Sequence, residues 1–142
     1  MRRIVDRYLA CGRLRVRMLT DLDSGKVAYK LTKKYAEPAP PAQPITTLYL
    51  TAEEHAALAA LPGRDLVKRR HFVREGELIF GVDAFEGTLT GLVTCEIEVD
   101  TAAELAAVTP PAWTLREVTH DPFFSGGHLA SVDRATLITR LP

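Results

Sequence analysis

Apolar and charged residues alternate along several short segments of the chain, which is typical of β-strands with one polar face. Successive side chains of a strand point to opposite faces, so residues two apart share a face. Three segments carry like charges at this spacing: Arg13, Arg15 and Arg17; Lys68 and Arg70; and Glu96 and Glu98. In the first segment, the opposite face holds Leu14, Val16 and Met18. We expect the apolar faces to pack against helices and the charged faces to meet in a polar hollow.

The same patterns divide the chain into strands and helices. Thr51 with Glu54, and Thr101 with Glu104, have the spacing of a helix-capping box. A helix is therefore predicted from Thr51 to the Pro-Gly pair at 62–63, a second over about 101–108, and a short one within 131–141. Strands are predicted over 3–11, 13–20, 26–35, 45–50, 66–74, 77–84, 91–99 and 113–119.

The connections between these strands favour an antiparallel sheet. Glycine-containing turns join most neighbouring strands, so hairpins dominate and parallel βαβ units are absent. We therefore predict an α+β fold, with an antiparallel β-barrel of about seven to eight strands and two or three helices packed outside. The whole chain, 1–142, forms one domain, in which four prolines make 36–44 a loop without regular structure.

Composition narrows the class of partner. The 142 residues fit one domain, and their formal net charge is zero. Because binding to nucleic acid or to a membrane surface scales with the number of phosphates neutralised, neither partner is expected. Two cysteines are too few for a disulfide scaffold. No segment approaches the roughly 20 apolar residues of a membrane-spanning helix. The expected location is the cytoplasm.

The charged faces suggest a site for a phosphorylated anion. Arginine and lysine bind phosphate oxygens, and arginine can contact two oxygens at once. Carboxylates beside them suit a hard cation such as Mg²⁺, which often bridges protein acids and substrate phosphates. The alternative is a solvated sheet face with salt bridges between strands, because antiparallel sheets commonly keep one wet face. Periodicity alone leaves both interpretations open.

Seven segments in register resemble the CYTH domain, the family of triphosphate tunnel metalloenzymes. The most specific are VDAFEG (82–87), GLVTCEIEV (91–99) and WTLREVTHDPFFSGGHLA (113–130). The others are IVDRYL (4–9), LRVRML (14–19), YKLTKKY (29–35) and VKRRHFV (67–73). The resemblance covers nearly the whole chain and implies an antiparallel barrel around a charged tunnel.

The resemblance also implies roles for individual residues. The phosphate-binding residues would be Arg15, Arg17, Lys34, Lys68 and Arg70. Glu96 and Glu98 would be ligands of Mg²⁺ or Mn²⁺, and Asp83 and Glu117 would be further acidic tunnel residues. Members of the family hydrolyse inorganic triphosphate or thiamine triphosphate, or cyclise ATP.

The chain departs from the family pattern at the metal site. The family's Glu-x-Glu-x-Lys motif lies on a first strand ahead of the segment matched by 4–9, where this chain has no residues. The segment 45–50 offers Thr47 and Tyr49 where acids are often seen, and Phe124 and Gly126 replace Tyr and Asn. Half of the metal site is therefore expected to be missing. Because charge stabilisation is the main catalytic device, turnover should be slow.

Three functions are compatible with these observations. The leading hypothesis is binding of a triphosphate or another phosphorylated anion in a basic tunnel, with weak or absent metal-dependent triphosphatase activity. The second is an active triphosphatase whose start codon was placed too far downstream. The third is a structural or regulatory module, a homodimer formed through the barrel edge left open beside strand 4–9.

Overall fold

A computed structural model describes residues 1–35 and 44–141, so most of the predicted proline-rich loop 36–44 lies outside the described residues. The described strands form one seven-stranded antiparallel sheet in the order β4-β3-β2-β1-β5-β6-β7. Their bounds are β1 (Arg2–Leu9), β2 (Leu14–Asp21), β3 (Val27–Lys34), β4 (Ile45–Leu50), β5 (Gly63–Glu75), β6 (Leu78–Phe85) and β7 (Val93–Glu96). The helices are α1 (Ala52–Ala59), α2 (Ala102–Ala107), α3 (Gly126–Leu129) and α4 (Arg134–Ile138). The α+β class and the antiparallel sheet are confirmed.

Local sequence signals account for the helix starts. The capping boxes of Thr51 with Glu54 and of Thr101 with Glu104 are both formed, with each threonine accepting from the glutamate N–H. α4 begins after Asp133, whose side chain accepts from the N–H of Thr136. No helix among residues 1–35 and 44–141 is long and apolar enough to cross a membrane.

The predicted strand over 113–119 is wrong. This segment follows two prolines and forms no strand. Trp113 donates from Nε1 to Glu75 at the end of β5 and packs edge-on against Phe80 of β6. Because Trp113 is held against the face of β6 that bears Phe80, the segment does not reach the free edge of β7. Leu115 is 83% exposed, so no apolar contact draws the segment into the sheet.

β1 lies at the centre of the sheet. It pairs with β2 on one side, where Asp6 faces Arg17, and with β5 on the other, where Asp6 faces Leu66. The expectation of an open edge beside strand 4–9 is therefore wrong, because both edges of β1 are hydrogen-bonded. The free edges belong to β4 and β7, and no ladder joins them among the described strands. The predicted barrel is thus a curled sheet that hydrogen bonds do not close.

The curl brings distant strands face to face. Four strands separate β3 from β7, so in a flat sheet the two would lie about 24 Å apart, or five spacings of about 4.8 Å. Yet the charge of Glu96 on β7 acts on Lys34 of β3, and that of Arg70 on β5 acts on Arg17 of β2. The sheet therefore curves around these side chains. We call this concave face the trough.

The main apolar core occupies part of the trough. Its buried members are Leu66, Phe85, Leu89, Leu92, Phe123, Leu129, Val132 and Leu137. Leu66 and Phe85 share a face with Lys68 and Asp83, so one end of a charged strand face is apolar. The C-terminal segment that contains α3 and α4 covers this end. On the opposite face of the sheet, α1 packs against β2, β3 and β4, and Val16 is fully buried there, as the alternation of β2 predicts.

Candidate functional site

One half of the trough is an ion-pair cluster on β1 and β2. Asp6 is fully buried, and both of its carboxylate oxygens accept from Arg17, at 2.6 Å from Nε and 2.7 Å from Nη2. Arg15 Nε lies 3.6 Å from the same carboxylate, beyond hydrogen-bond distance. Direct strand pairing explains the geometry, because Asp6 and Arg17 are opposite each other in the β1–β2 register.

The other half is a second cluster, on β5, β6 and β7. Asp83 is fully buried and accepts from Arg70 at 2.7 Å through each oxygen, while Lys68 Nζ donates to Oδ2. Arg70 also contacts Glu96 on β7. Arg70 faces Asp83 in the β5–β6 register, and Lys68 lies two residues along on the same face. The two clusters thus hold the cationic residues Arg17, Lys68 and Arg70 against acidic partners.

These pairs shift the pKa values of their members. Burial favours the neutral forms, but the hydrogen bonds and charge of Asp6 outweigh it and raise the pKa of Arg17 above its usual value. For Asp83, burial is likewise outweighed by the hydrogen bond from Arg70 and the charge of Lys68, so its pKa lies below the usual range. Both clusters are therefore charged at neutral pH, and their ion pairs are stable without a bound ligand.

Arg15 is the least satisfied cation of the trough. Its Nε is buried and has no hydrogen-bond partner, and its Nη2 makes a long 3.4 Å bond to Thr32 Oγ1. Tyr8 lies opposite Arg15 on β1. Burial, with a smaller contribution from Asp6, raises the pKa of the Tyr8 hydroxyl. A buried N–H without an acceptor is unusual in proteins, and it points to an acceptor that the protein itself does not supply.

A cavity of about 570 Å³ opens beside Arg15. The described residues that line it include Arg13, Arg15, Lys34 and Arg64, together with Tyr8, and none of them is an acid. Backbone of α3 at Gly126 and Gly127 forms another part of the wall. The cavity therefore gathers four cations from β2, β3, β5 and the turn before β2, which suits a multiply charged anion.

Lys34 is strained electrostatically in this position. Burial and the nearby charge of Arg15 lower the pKa of Lys34 from its ordinary value of 10.5, and Glu96 opposes this shift only in part. An anion in the cavity would favour the charged ammonium. Lys34 thus has more to gain from a bound phosphate than an exposed lysine has.

The predicted metal ligands do not assemble a metal site. Glu96 contacts Arg70, while Glu98 lies beyond the end of β7 and is exposed. Glu117 is exposed on the segment that forms no strand. Asp83 already accepts from two cations. No group of three or more His, Cys, Asp or Glu residues that could hold a metal occurs within residues 1–35 and 44–141. This donor set does not fit Mg²⁺ or Mn²⁺, which need several free oxygen ligands.

The five predicted phosphate-binding residues divide between two environments. Arg15 and Lys34 line the cavity, whereas Arg17, Lys68 and Arg70 lie in the acid-paired clusters. Sequence reasoning missed Asp6 as the partner of Arg17, and Arg64 and Tyr8 as cavity residues. Asp6 had a usable signal, because it is a lone acid among apolar neighbours in IVDRYL. Arg64 had none, because its role depends on the pairing of β1 with β5.

Gly126 holds α3 against Tyr8. A Cβ at this position would lie 2.0 Å from Tyr8 Oη, whereas a Cβ at Gly127 would lie at an ordinary 3.6 Å from Tyr8 Cδ1. Gly126→Ala is therefore expected to lower the free energy of unfolding by about 1–3 kcal/mol, as overpacking does. Urea denaturation of both variants measures this effect, and Gly127→Ala is the matched control. Tyr8→Phe should relieve part of the loss in Gly126→Ala. Equal stability of the two alanine variants would contradict the contact.

Comparison with known proteins supports the fold and leaves the activity open. No family model matches the chain, and a search of curated proteins found no match. Two solved structures are similar to it, both of NE1496. One, described as a hypothetical protein, has 22% identity and a TM-score of 0.59 over 93% of this chain and 86% of its own. The other, described as the inorganic triphosphatase NE1496, has 22% identity and a TM-score of 0.58 over 91% and 84%. The chain shares the fold of these structures.

Proposed function

We propose that the protein binds a triphosphate or a related phosphorylated anion in the cavity of the trough, and that it hydrolyses this ligand weakly or not at all. The observation that carries the proposal is the lining of the cavity, in which Arg13, Arg15, Lys34 and Arg64 converge without a described acid. Four cations around about 570 Å³ match the charge of a compact polyphosphate better than that of a monoanion. The inorganic triphosphatase with the similar fold supports the same ligand class.

Weak or absent hydrolysis is proposed from the state of the acids. The protein's contribution to phosphoryl transfer is charge neutralisation and the positioning of an attacking water. The cavity supplies cations for the first task. For the second, Asp6 and Asp83 are the buried acids of the trough, and each is engaged by arginine through both oxygens. Neither has an oxygen free of arginine to orient a water.

Titration calorimetry with tripolyphosphate at low salt tests the proposal. Lys34→Gln is expected to weaken binding roughly tenfold, equal to about 1.4 kcal/mol, because one buried point charge is lost. Lys33→Gln is the matched control, since the neighbouring side chain is exposed and points to the other face of β3. Absence of binding by the wild-type protein would refute the proposal. Equal losses in the two variants would move the site away from the cavity.

Two further predictions stay proposals. The free edges that could pair with a second copy are those of β4 and β7, and on β4 Leu48 and Tyr49 are 56% and 75% exposed. An unpaired strand of this kind is the usual site of edge-to-edge association, so a homodimer would form there and not beside β1. A cytoplasmic location is supported by Cys11 and Cys95, which are both free thiols.

A further inference from the structure

We propose that the cavity takes the metal-free form of its polyphosphate ligand, so that Mg²⁺ lowers the apparent affinity of the protein instead of assisting binding. This inference rests on the proposed function. It deepens that function by naming the ionic form of the ligand that the site accepts. Three features of the trough support it: the engagement of its acids, the spacing of those acids on the sheet, and the unsatisfied donor of Arg15.

The described acids of the trough already neutralise protein cations. Asp6 gives one oxygen to each of two Arg17 nitrogens, at 2.6 and 2.7 Å. Asp83 gives both oxygens to Arg70 and also accepts from Lys68. Glu96 contacts Arg70 as well. A divalent cation bound to any of these carboxylates would displace a buried guanidinium and then lie beside it, which costs free energy twice.

The acids are also too scattered to share a metal ion. Asp6 is flanked on its own face of β1 by Ile4 and Tyr8, two residues away on either side. Asp83 is flanked on β6 by Gly81 and Phe85. Mg²⁺ usually needs one or two carboxylates free to complete an octahedral oxygen shell together with the ligand phosphates. Neither strand supplies a second acid beside the first.

The cavity instead supplies the countercharge that a metal ion would otherwise provide. Arg13, Lys34 and Arg64 line it with Arg15, whose buried Nε has no acceptor. A phosphate oxygen would satisfy this donor, whereas the unmet bond costs stability in the free protein. Mg²⁺ bound to the ligand cancels part of the charge that these four residues would contact. The complex of metal and polyphosphate is therefore the poorer ligand.

The test is calorimetric titration of the wild-type protein with tripolyphosphate at constant ionic strength, once with EDTA and once with MgCl₂. Where only about a tenth of the ligand is free of metal, the apparent Kd should rise about tenfold. Affinity that increases with Mg²⁺, or that does not change, overturns the inference while leaving the proposed function intact. No binding in either buffer refutes the proposed function itself, so the two failures are distinguishable.

Asp6→Asn provides an independent measurement. Removing this carboxylate frees Arg17 for the anion, so the rise in Tm on adding metal-free tripolyphosphate should be larger for the variant than for the wild-type protein. A metal ligand at Asp6 would produce the opposite result: a smaller rise overturns the inference. If the variant does not fold, the comparison of EDTA with MgCl₂ on the wild-type protein still decides.

Discussion

Replacing Asp83 with asparagine is expected to lower the free energy of unfolding by about 3–5 kcal/mol, the cost of breaking a buried ion pair from one side. The Asp83 side chain is 1% exposed, and its removal as a charge leaves Lys68, at 10% exposure, without its counterion. Arg70 keeps Glu96 but loses two 2.7 Å hydrogen bonds. Urea denaturation followed by circular dichroism measures the loss.

Two controls separate this effect from a general loss of charge. Asp65→Asn removes an exposed carboxylate that pairs with Arg7, and it should cost no more than about 1 kcal/mol. Asp83→Asn combined with Lys68→Met removes both members of the pair and should recover part of the stability. Equal effects of Asp83→Asn and Asp65→Asn would show that burial does not amplify the Asp83 pairs.

The same difference should depend on pH in one direction. The pKa of Asp83 lies below its usual 3.8, because the bond from Arg70 and the charge of Lys68 outweigh its burial. A carboxylate with a lowered folded-state pKa stabilises the protein above its unfolded-state pKa, and this contribution is lost as the pH falls through the folded-state value. The gap between wild type and Asp83→Asn should therefore be constant near neutrality and close under acid conditions below pH 3.8.

Arg15→Gln should weaken tripolyphosphate binding by roughly 10–100-fold, or about 1.5–3 kcal/mol, with little change in stability. The reason is that Arg15 has a donor without a partner, so its loss breaks no short hydrogen bond within the protein. Asp6 retains both bonds from Arg17. Calorimetric titration and urea denaturation of the same variant measure the two quantities separately.

Arg69→Gln is the matched control for Arg15→Gln. Arg69 pairs with Glu86 at the surface, and its side chain is 55% exposed. This substitution should leave the affinity unchanged. If Arg15→Gln destabilised the protein as much as it weakened binding, Arg15 would be a structural residue, and the cavity would lose its best-placed phosphate ligand.

Strand periodicity predicted the composition of the trough because it depends only on local geometry. Side chains two apart must share a face, so Arg15 with Arg17 and Lys68 with Arg70 could be placed together before any pairing was known. Pairing itself depends on contacts between residues far apart in the chain. The position of β1 between β2 and β5, and with it the bond between Asp6 and Arg17, could not be obtained from local patterns.

The errors have particular physical causes. The segment 113–119 alternates like a strand, but Trp113 anchors it to Phe80 and Glu75, which removes it from the sheet edge. Glu98 follows the end of β7, so its alternation with Glu96 has no strand to act on. The apolar end of the trough did have a signal, because Leu66 shares its face with Lys68. That signal indicated a cover, which the C-terminal segment provides.

The unjoined edges of β4 and β7 have a mechanical consequence. In a closed barrel, strand number and stagger determine the diameter, so the interior has one width. Here the spacing of the two walls depends on the bending of six strand pairs, which gives the fold the compliance of a spring clasp. An anion that touches Arg15 and Lys34 can therefore draw the walls inward to its own size without breaking a single ladder hydrogen bond.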